Sequence, residues 1–196
     1  MGPVSLLVAT LLMLSGAPFW ESKPPARWSD QELELLLTDS PWAQVARAGS
    51  GAPSVQTFLA SARPIQEAEN ERIRRAGRLA PEEAFAEDYL DSLSQNRGKR
   101  IILAVHLPGW DPAANPRETR RLEAECIPRA GKRKLRMIGY FPPSATDPYL
   151  RLVFPRDITL EDRSLLFELY LPGVPQPLRQ VEFRIKDLVY RNAPDF

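Results

Sequence analysis

Apolar and polar residues alternate along several segments in the second half of the chain, and this pattern predicts β-strands. The clearest case is Gln180–Lys186, in which Val181, Phe183 and Ile185 alternate with charged residues. Related patterns predict three further strands, at Lys134–Ile138, Tyr149–Phe154 and Ser164–Leu171. Alternation means that one face of each strand is covered and the other is wet, as in an antiparallel sheet backed by helices.

Two segments in the first half are predicted as strands because their residues are mostly apolar. Ile101–Leu107 is bounded by Gly98 and Pro108, so we interpret it as a strand buried on both faces at the centre of the sheet. Val55–Ala60 is short and partly β-branched, and it is predicted as another strand. The segment before it, Ala43–Pro53, is rich in glycine and is predicted as a loop.

A short helix is predicted to begin after Ser29. Ser29 and Glu32 have the spacing of a capping box, and Leu33, Leu36 and Leu37 then fall on one helical face. A helix of about eight to ten residues is not stable alone in water, so these leucines must dock on the rest of the fold.

Longer helices are predicted where apolar residues recur at helical spacing. Pro64–Arg75 places Ile65, Ala68 and Ile73 inward and its charged residues, Glu71 among them, in water. The other predicted helices are Pro81–Ser94, with Ala84, Phe85, Tyr89 and Leu93 as its apolar stripe, and the short charged segment Arg117–Glu125.

Together these elements predict an α+β fold, with a mainly antiparallel sheet of five or six strands and two principal helices packed on one face. The predicted organisation is a signal peptide at 1–17, an N-terminal segment with the capped helix and a linker at 18–52, and a single α+β domain at 53–196.

The beginning of the chain predicts export. The apolar run Val4–Leu14 is followed by Ser15, Gly16 and Ala17, which suit a signal-peptide cleavage site. The run is shorter than the ~20 residues that a membrane-spanning helix needs, so we expect no stable transmembrane span after leader removal. The expected location is the periplasm or the extracellular space.

Two sequence blocks carry a family resemblance. Phe19–Ala43 contains the patterns F-W-E-x-K-P and W-S-x-x-E-x-x-x-L-L-T-D-S-P-W-A, and Ser61–Ala68 reads S-A-R-P-I-Q-E-A. These blocks resemble a family of uncharacterised secreted proteins from acidobacteria. The resemblance implies an exported protein and a shared fold, and it implies no catalytic residues because that family has no assigned activity.

Composition narrows the classes of function. The net charge of +1 gives no overall field that would attract nucleic acid, so no nucleic-acid partner is expected. Cys126 is the one cysteine, which precludes an intramolecular disulfide, and we interpret it as a small buried hydrophobe. The basic cluster at Arg129–Arg136 is interpreted as the wet face of a strand, although a polyanion is the other ligand it could contact.

The residues needed for common catalytic and metal sites are scarce in this sequence. Zinc sites usually draw three or four ligands from Cys, His and carboxylates, and the chain has one histidine and one cysteine. His106, near the end of the buried strand, is interpreted as a core or edge histidine. We therefore predict no catalytic, cofactor-binding or metal-binding residues.

Three tryptophans are the candidate interaction surface: Trp28, Trp42 and Trp110. Aromatic residues in loops can form a platform for a sugar or a peptide. The same residues can instead pin the N-terminal segment onto the domain, which is the favoured interpretation.

The sequence favours a non-catalytic extracytoplasmic protein that binds another protein or a cell-envelope component. Two alternatives stay open. One is a carboxylate-dependent hydrolase with the loop Pro108–Pro116 over its site and Asp111 as the residue to test. The other is a carrier that holds a small apolar ligand between the helices and the sheet.

Overall fold

The computed structural model describes residues 17–49, 51–77, 84–96 and 98–196, without the side chains of residues 84–88 and 90. Two sequence predictions therefore fall outside the described residues. These are residues 1–16 of the predicted signal peptide and residues 81–83 at the predicted start of the second long helix.

Helices and strands alternate irregularly along the described residues. The helices are α1 Phe19–Ser22, α2 Asp30–Thr38, α3 Arg63–Arg75, α4 Ala84–Gln95 and α5 Pro116–Glu125, with 3-10 turns at Pro25–Arg27 and Ile185–Asp187. The strands are β1 Ala43–Ala46, β2 Val55–Leu59, β3 Arg100–His106, β4 Ile127–Ala130, β5 Arg133–Lys134, β6 Gly139–Phe141, β7 Tyr149–Pro155, β8 Ser164–Tyr170, β9 Leu178–Arg184, β10 Val189–Tyr190 and β11 Ala193–Pro194.

Helix α2 begins with the capping box that the sequence predicts. The Ser29 hydroxyl accepts a hydrogen bond from the Glu32 N–H at 3.1 Å, and the Glu32 carboxylate accepts one from the Ser29 N–H at 2.8 Å. Two N–H groups that the first helical turn leaves free are thereby satisfied. Leu33, Leu36 and Leu37 are buried, so the helix docks through the predicted face.

The strands of the described residues form two larger sheets and a ribbon, and all their pairings are antiparallel. The large sheet has the order β1-β2-β3-β7-β6, the small sheet has the order β5-β4-β8-β9, and β10 pairs with β11. Strand β3 lies at the centre of the large sheet and is buried from Ile101 to Val105, as predicted. The predicted α+β class with a mainly antiparallel sheet is confirmed, and the strands are divided between two sheets.

The large sheet has helices on one face and the small sheet on the other. Because side chains alternate along a strand, Arg151 and Phe154 of β7 point to opposite faces. Arg151 donates a hydrogen bond to Glu69 of α3, and its guanidinium lies over the ring of Tyr89 of α4. Phe154 contacts Phe167 of β8, with ring centroids 5.6 Å apart. The two principal helices thus cover one face, and aromatic packing joins the two sheets across the other.

One strand prediction and one loop prediction are wrong for reasons of tertiary structure. Of the predicted strand Lys134–Ile138, only Lys134 is in a strand, because the chain leaves the small sheet there. The Ile138 N–H already donates to the Val153 carbonyl of the large sheet at 2.8 Å. Conversely, Ala43–Ala46 lies in the predicted loop but forms β1, since β2 offers it an edge to pair with.

One face of α3 also differs from the prediction. Ile73 is 44% exposed, whereas Glu71, which was expected in water, is 6% exposed. Arg74 and Arg75 donate to the Glu71 carboxylate at distances from 2.7 to 2.8 Å and lower its pKa to about 2. The carboxylate is accommodated at an inward position because two guanidinium groups reach it there.

Candidate functional site

Trp28 and Trp42 belong to the hydrophobic core, with exposed fractions of 1% and 0%. The Trp28 indole N–H donates to the Lys23 carbonyl at 3.1 Å, and that of Trp42 donates to the Asp195 carbonyl at 2.7 Å. Both rings are enclosed and both N–H groups are used. The folded chain therefore does not present these two indoles as a surface.

The contacts of Trp42 connect the N-terminal segment with the C-terminal ribbon. Trp20 and Tyr190 both approach it edge-on, with ring centroids at 5.8 and 6.5 Å. In addition, the Glu21 carboxylate of α1 accepts a hydrogen bond from the Arg191 N–H of the ribbon turn at 2.7 Å. These contacts match the favoured interpretation, in which tryptophans pin the N-terminal segment to the domain.

Trp110 lies apart from the other two tryptophans. It is partly buried against Tyr140, with ring centroids 5.7 Å apart. In the same loop the Asp111 carboxylate accepts a hydrogen bond from the Ala113 N–H at 2.8 Å, so this carboxylate stabilises its own turn. The structure does not bring the three candidate tryptophans together into one surface.

Cys126 and His106 also have local structural roles. Cys126 is buried, and its sulfur contacts the Tyr170 carbonyl at 3.5 Å and the Tyr170 N–H at 3.4 Å. Burial raises the pKa of the thiol to about 12, so it is uncharged near neutral pH. His106 is exposed at the end of β3, and its ring packs edge-on against Tyr149 at 5.4 Å. Within the described ranges, no group of three or more His, Cys, Asp and Glu side chains could hold a metal ion.

A charged network lies between the large sheet and its helices. Arg151, only 4% exposed, donates to Glu69 at 2.6 Å and to Asp147, and its guanidinium lies 4.5 Å from the centre of the Tyr89 ring. Burial alone would lower the pKa of Arg151, but the carboxylates of Glu69 and Asp147 outweigh it, and the pKa is raised. The Arg151 Nε and the Tyr89 hydroxyl have no hydrogen-bond partner among the described residues.

The two sheets meet along one edge, where β1 approaches β9. Arg47, just after β1, and Gln180 of β9 exchange backbone hydrogen bonds of 2.9 and 2.8 Å in an antiparallel bridge. Within the described part of the chain this is the one β-bridge between the large and small sheets. We refer to the line where β1 and β9 meet as the seam.

A cleft with a volume of about 840 Å³ lies over this seam. Volumes of about 300–1,000 Å³ are typical of ligand sites. Its lining is mixed: glutamines, carboxylates and leucines contribute together with arginines. The lining includes Arg47, Glu125, Glu168, Leu178, Arg179 and Glu182.

A second cleft of about 610 Å³ extends along the same seam toward the end of α2. Gln44 and Glu182 line both clefts, so the two clefts adjoin at these residues. Ser40, Asp187 and Arg184 belong to the second cleft alone. We use the name seam groove for the two clefts together.

Most carboxylates of the seam groove are neutralised by arginines. Arg121 pairs with Glu125 at 2.8 Å, Arg129 with Glu168 at 2.9 Å, and Arg184 with Asp187 at 2.7 Å. Arg129 thus belongs to a paired strand face, as the sequence interpretation of the basic cluster expects. Glu182 makes no ion pair with any residue that the structure describes.

Arg179 is the exceptional residue of the seam groove. It is 2% exposed, and its Nη2 donates to the Pro175 carbonyl at 2.7 Å. Its Nε and Nη1 are buried and have no partner in the described residues, and none of the ion pairs found there includes it. A buried guanidinium without a carboxylate carries a desolvation cost of several kcal/mol.

Sequence reasoning missed this site because it assigned β1 to a loop and began β9 at Gln180. One signal was available. The inward positions Val181, Phe183 and Ile185 extend backwards by two residues to Arg179, which places a charged residue on the buried face of the strand.

Comparisons with protein-family models, with curated protein sequences and with solved structures found no match for this chain. In the part of the chain that the structure describes, no helix has both the length and the apolar character needed to cross a membrane.

Proposed function

We propose that this is a non-catalytic binding protein and that its partner, a protein or a cell-envelope component, occupies the seam groove. The observation that carries the proposal is the open cleft of about 840 Å³ over the seam, where one β-bridge joins the two sheets within the described residues. Its mixed lining, with Leu178 63% exposed beside polar side chains, suits an amphipathic partner segment.

An extracytoplasmic location is part of this proposal and depends on the sequence. The support is the apolar run Val4–Leu14 with a small-residue cleavage site, together with the resemblance to secreted acidobacterial proteins. Expression of the full chain in a bacterial host, followed by fractionation and intact mass measurement, tests it. A product that begins near Pro18 in the periplasm is expected, and a product that begins at Met1 in the cytosol contradicts it.

Binding is tested by cross-linked capture from envelope extract with a tagged mature chain. Leu178→Arg should abolish capture of the partner because it places a charged, longer side chain in the cleft. Leu160→Arg is the matched control, since Leu160 is 71% exposed but does not line the cleft. Capture that survives Leu178→Arg, or that never exceeds background with the wild-type chain, would contradict the proposal.

The two alternatives have less support from the geometry. The hydrolase hypothesis depends on Asp111, whose carboxylate is engaged by the Ala113 N–H of its own turn. The carrier hypothesis needs an apolar space between helices and sheet, and there the charged Arg151 lies between Glu69 and Tyr89.

A further inference from the structure

We infer that one end of the small sheet is a docking surface for a membrane that carries anionic phospholipid. Three segments meet at this end: the β4–β5 hairpin tip at Gly131–Lys132, the turn Thr159–Asp162 before β8, and the 3-10 turn Ile185–Asp187 after β9. The inference goes beyond the proposed function, because the residues that carry it do not line the seam groove.

Short contacts hold these segments together. Arg133, next to the hairpin tip, forms an ion pair of 2.5 Å with Asp162 and approaches Asp157 at 3.7 Å. The Arg163 carbonyl accepts a hydrogen bond from the Ile185 N–H at 3.1 Å, which connects the start of β8 with the 3-10 turn. The tips of the three segments therefore share one end of the molecule.

Four exposed cations gather at this end. Three belong to the segments just described, and the fourth, Lys99, is adjacent because its carbonyl accepts a hydrogen bond from the Arg156 N–H at 3.1 Å, directly before Asp157. Together with the exposed Leu160 we call them the basic end, which consists of Lys99, Lys132, Leu160, Arg163 and Lys186.

The charge of the basic end is not balanced locally. Within the described ranges none of its four cations makes an ion pair, whereas Asp157 and Asp162 are paired with Arg133, and Asp187 is paired with Arg184. Glu161 is then the one unpaired carboxylate of these described segments. The whole chain has a net charge of only +1, so the positive field is confined to this end.

Leu160 favours a membrane over a soluble polyanion. Its side chain is 71% exposed, more than any other large apolar side chain in the described residues, and it lies at the tip of a turn among the cations. At a membrane surface, lysine and arginine attract anionic headgroups while an apolar side chain enters the headgroup region. A polyanion in solution would contact the cations but would leave Leu160 in water.

The test is sedimentation of the purified chain with sucrose-loaded vesicles of phosphatidylcholine, either pure or mixed with an equal part of phosphatidylglycerol. The chain begins at Pro18 in this experiment, because the apolar run Val4–Leu14 would itself bind lipid. We expect binding to the mixed vesicles, weakened by added sodium chloride because salt screens the attraction, and no binding to the pure vesicles. No binding to the mixed vesicles, or equal binding to both kinds, would overturn the inference.

Charge substitutions assign the binding to the basic end. Lys132→Glu combined with Lys186→Glu should abolish sedimentation, since the loss of one cation near an anionic surface weakens binding about fivefold and charge reversal weakens it further. Arg117→Glu combined with Arg120→Glu is the matched control. It changes the net charge equally, but α5 lies near Tyr170 at the opposite end of β8, so binding should persist. Equal binding by the two double variants would contradict the inference.

A third substitution distinguishes a membrane from a polyanion. Leu160→Ser should weaken vesicle binding about fivefold or more, whereas Leu178→Ser, at a side chain 63% exposed on the seam, should bind like the wild type. If Leu160→Ser binds like the wild type, or if duplex DNA binds the chain as tightly as the mixed vesicles do, the membrane assignment is wrong. The experiment does not involve the seam groove, so its failure is distinguishable from failure of the capture experiment.

Discussion

The helix-covered face of the large sheet and the seam accommodate buried arginines in opposite ways. On the helix-covered face, Arg151 has two carboxylate partners, Glu69 and Asp147, and an aromatic ring over its guanidinium. At the seam, Arg179 is equally buried, and among the described residues its one acceptor is the Pro175 carbonyl.

The different partners of Arg151 and Arg179 indicate how each region affects the stability of the fold. Burying a charge is tolerated where the fold itself supplies the counter-charge, and then removal of one partner is costly. A buried charge without a counter-charge lowers stability, and such a compromise is common where activity needs it. The helix-covered face thus compensates its buried charge, whereas at the seam the buried charge of Arg179 has no counter-charge among the described residues.

The largest expected loss of stability follows from Trp42→Ala. The indole is fully buried and its N–H bonds to the Asp195 carbonyl, 153 residues away. We expect the free energy of unfolding to fall by about 4 kcal/mol, measured by urea unfolding. Leu178→Ala on the seam is the control and should change it by less than about 0.5 kcal/mol. An equal fall in the free energy of unfolding in the two variants would contradict the claim that the core stabilises the fold more than the seam does.

Arg151→Met should lower the free energy of unfolding by about 3 kcal/mol, because it leaves the carboxylate of Glu69, whose side chain is only 17% exposed, without its partner. Arg184→Met is the matched control. Its ion pair with Asp187 is on the surface, with side chains 68% and 35% exposed, so the loss should stay below about 1 kcal/mol. A variant Arg151→Met as stable as the wild type would show that the network contributes nothing.

A smaller effect is expected from Ser29→Ala, which removes the acceptor of the Glu32 N–H at the start of α2. The expected loss is about 1 kcal/mol by urea unfolding. Ser29→Asp keeps a capping oxygen and should recover most of that stability. If the aspartate variant is as unstable as the alanine variant, the cap is not the cause.

Acid pH should weaken the ion pairs that Glu71 makes within α3. Arg74 and Arg75 lower the pKa of this carboxyl from 4.5 to about 2, so its contribution to stability is complete above pH 4.5 and is lost as the pH falls through about 2. Thermal unfolding of the wild type and of Glu71→Gln between pH 2 and pH 7 checks this. The difference between the two should shrink toward acid pH, and a constant difference would contradict the assignment.

Elements whose signals are local in sequence could be predicted. The capping box at Ser29, the apolar β3 and the inward residues Leu165, Phe167, Val181 and Phe183 all have their expected places. Such patterns follow from the periods of helix and strand, which any short window of sequence contains.

What could not be predicted depends on contacts between distant residues. Strand β1 exists because β2 pairs with it, Gln180 bridges to Arg47 just after β1, and the crossing at Ile138 depends on the edge of β7. The seam and its groove are products of this pairing. For the tryptophans, the sequence favours anchoring of the N-terminal segment over an interaction surface, but it does not predict which residues each indole contacts.

The most direct test of the contrast between the two regions is the free energy of unfolding of Arg179→Met, without added anion, compared with wild type and Arg151→Met under the same conditions. Methionine has a similar shape and removes an uncompensated buried charge, so Arg179→Met should be as stable as the wild type or more stable by about 1 kcal/mol. A loss similar to the expected loss in Arg151→Met would show that Arg179 is already compensated within the fold, and would contradict the contrast between the two regions.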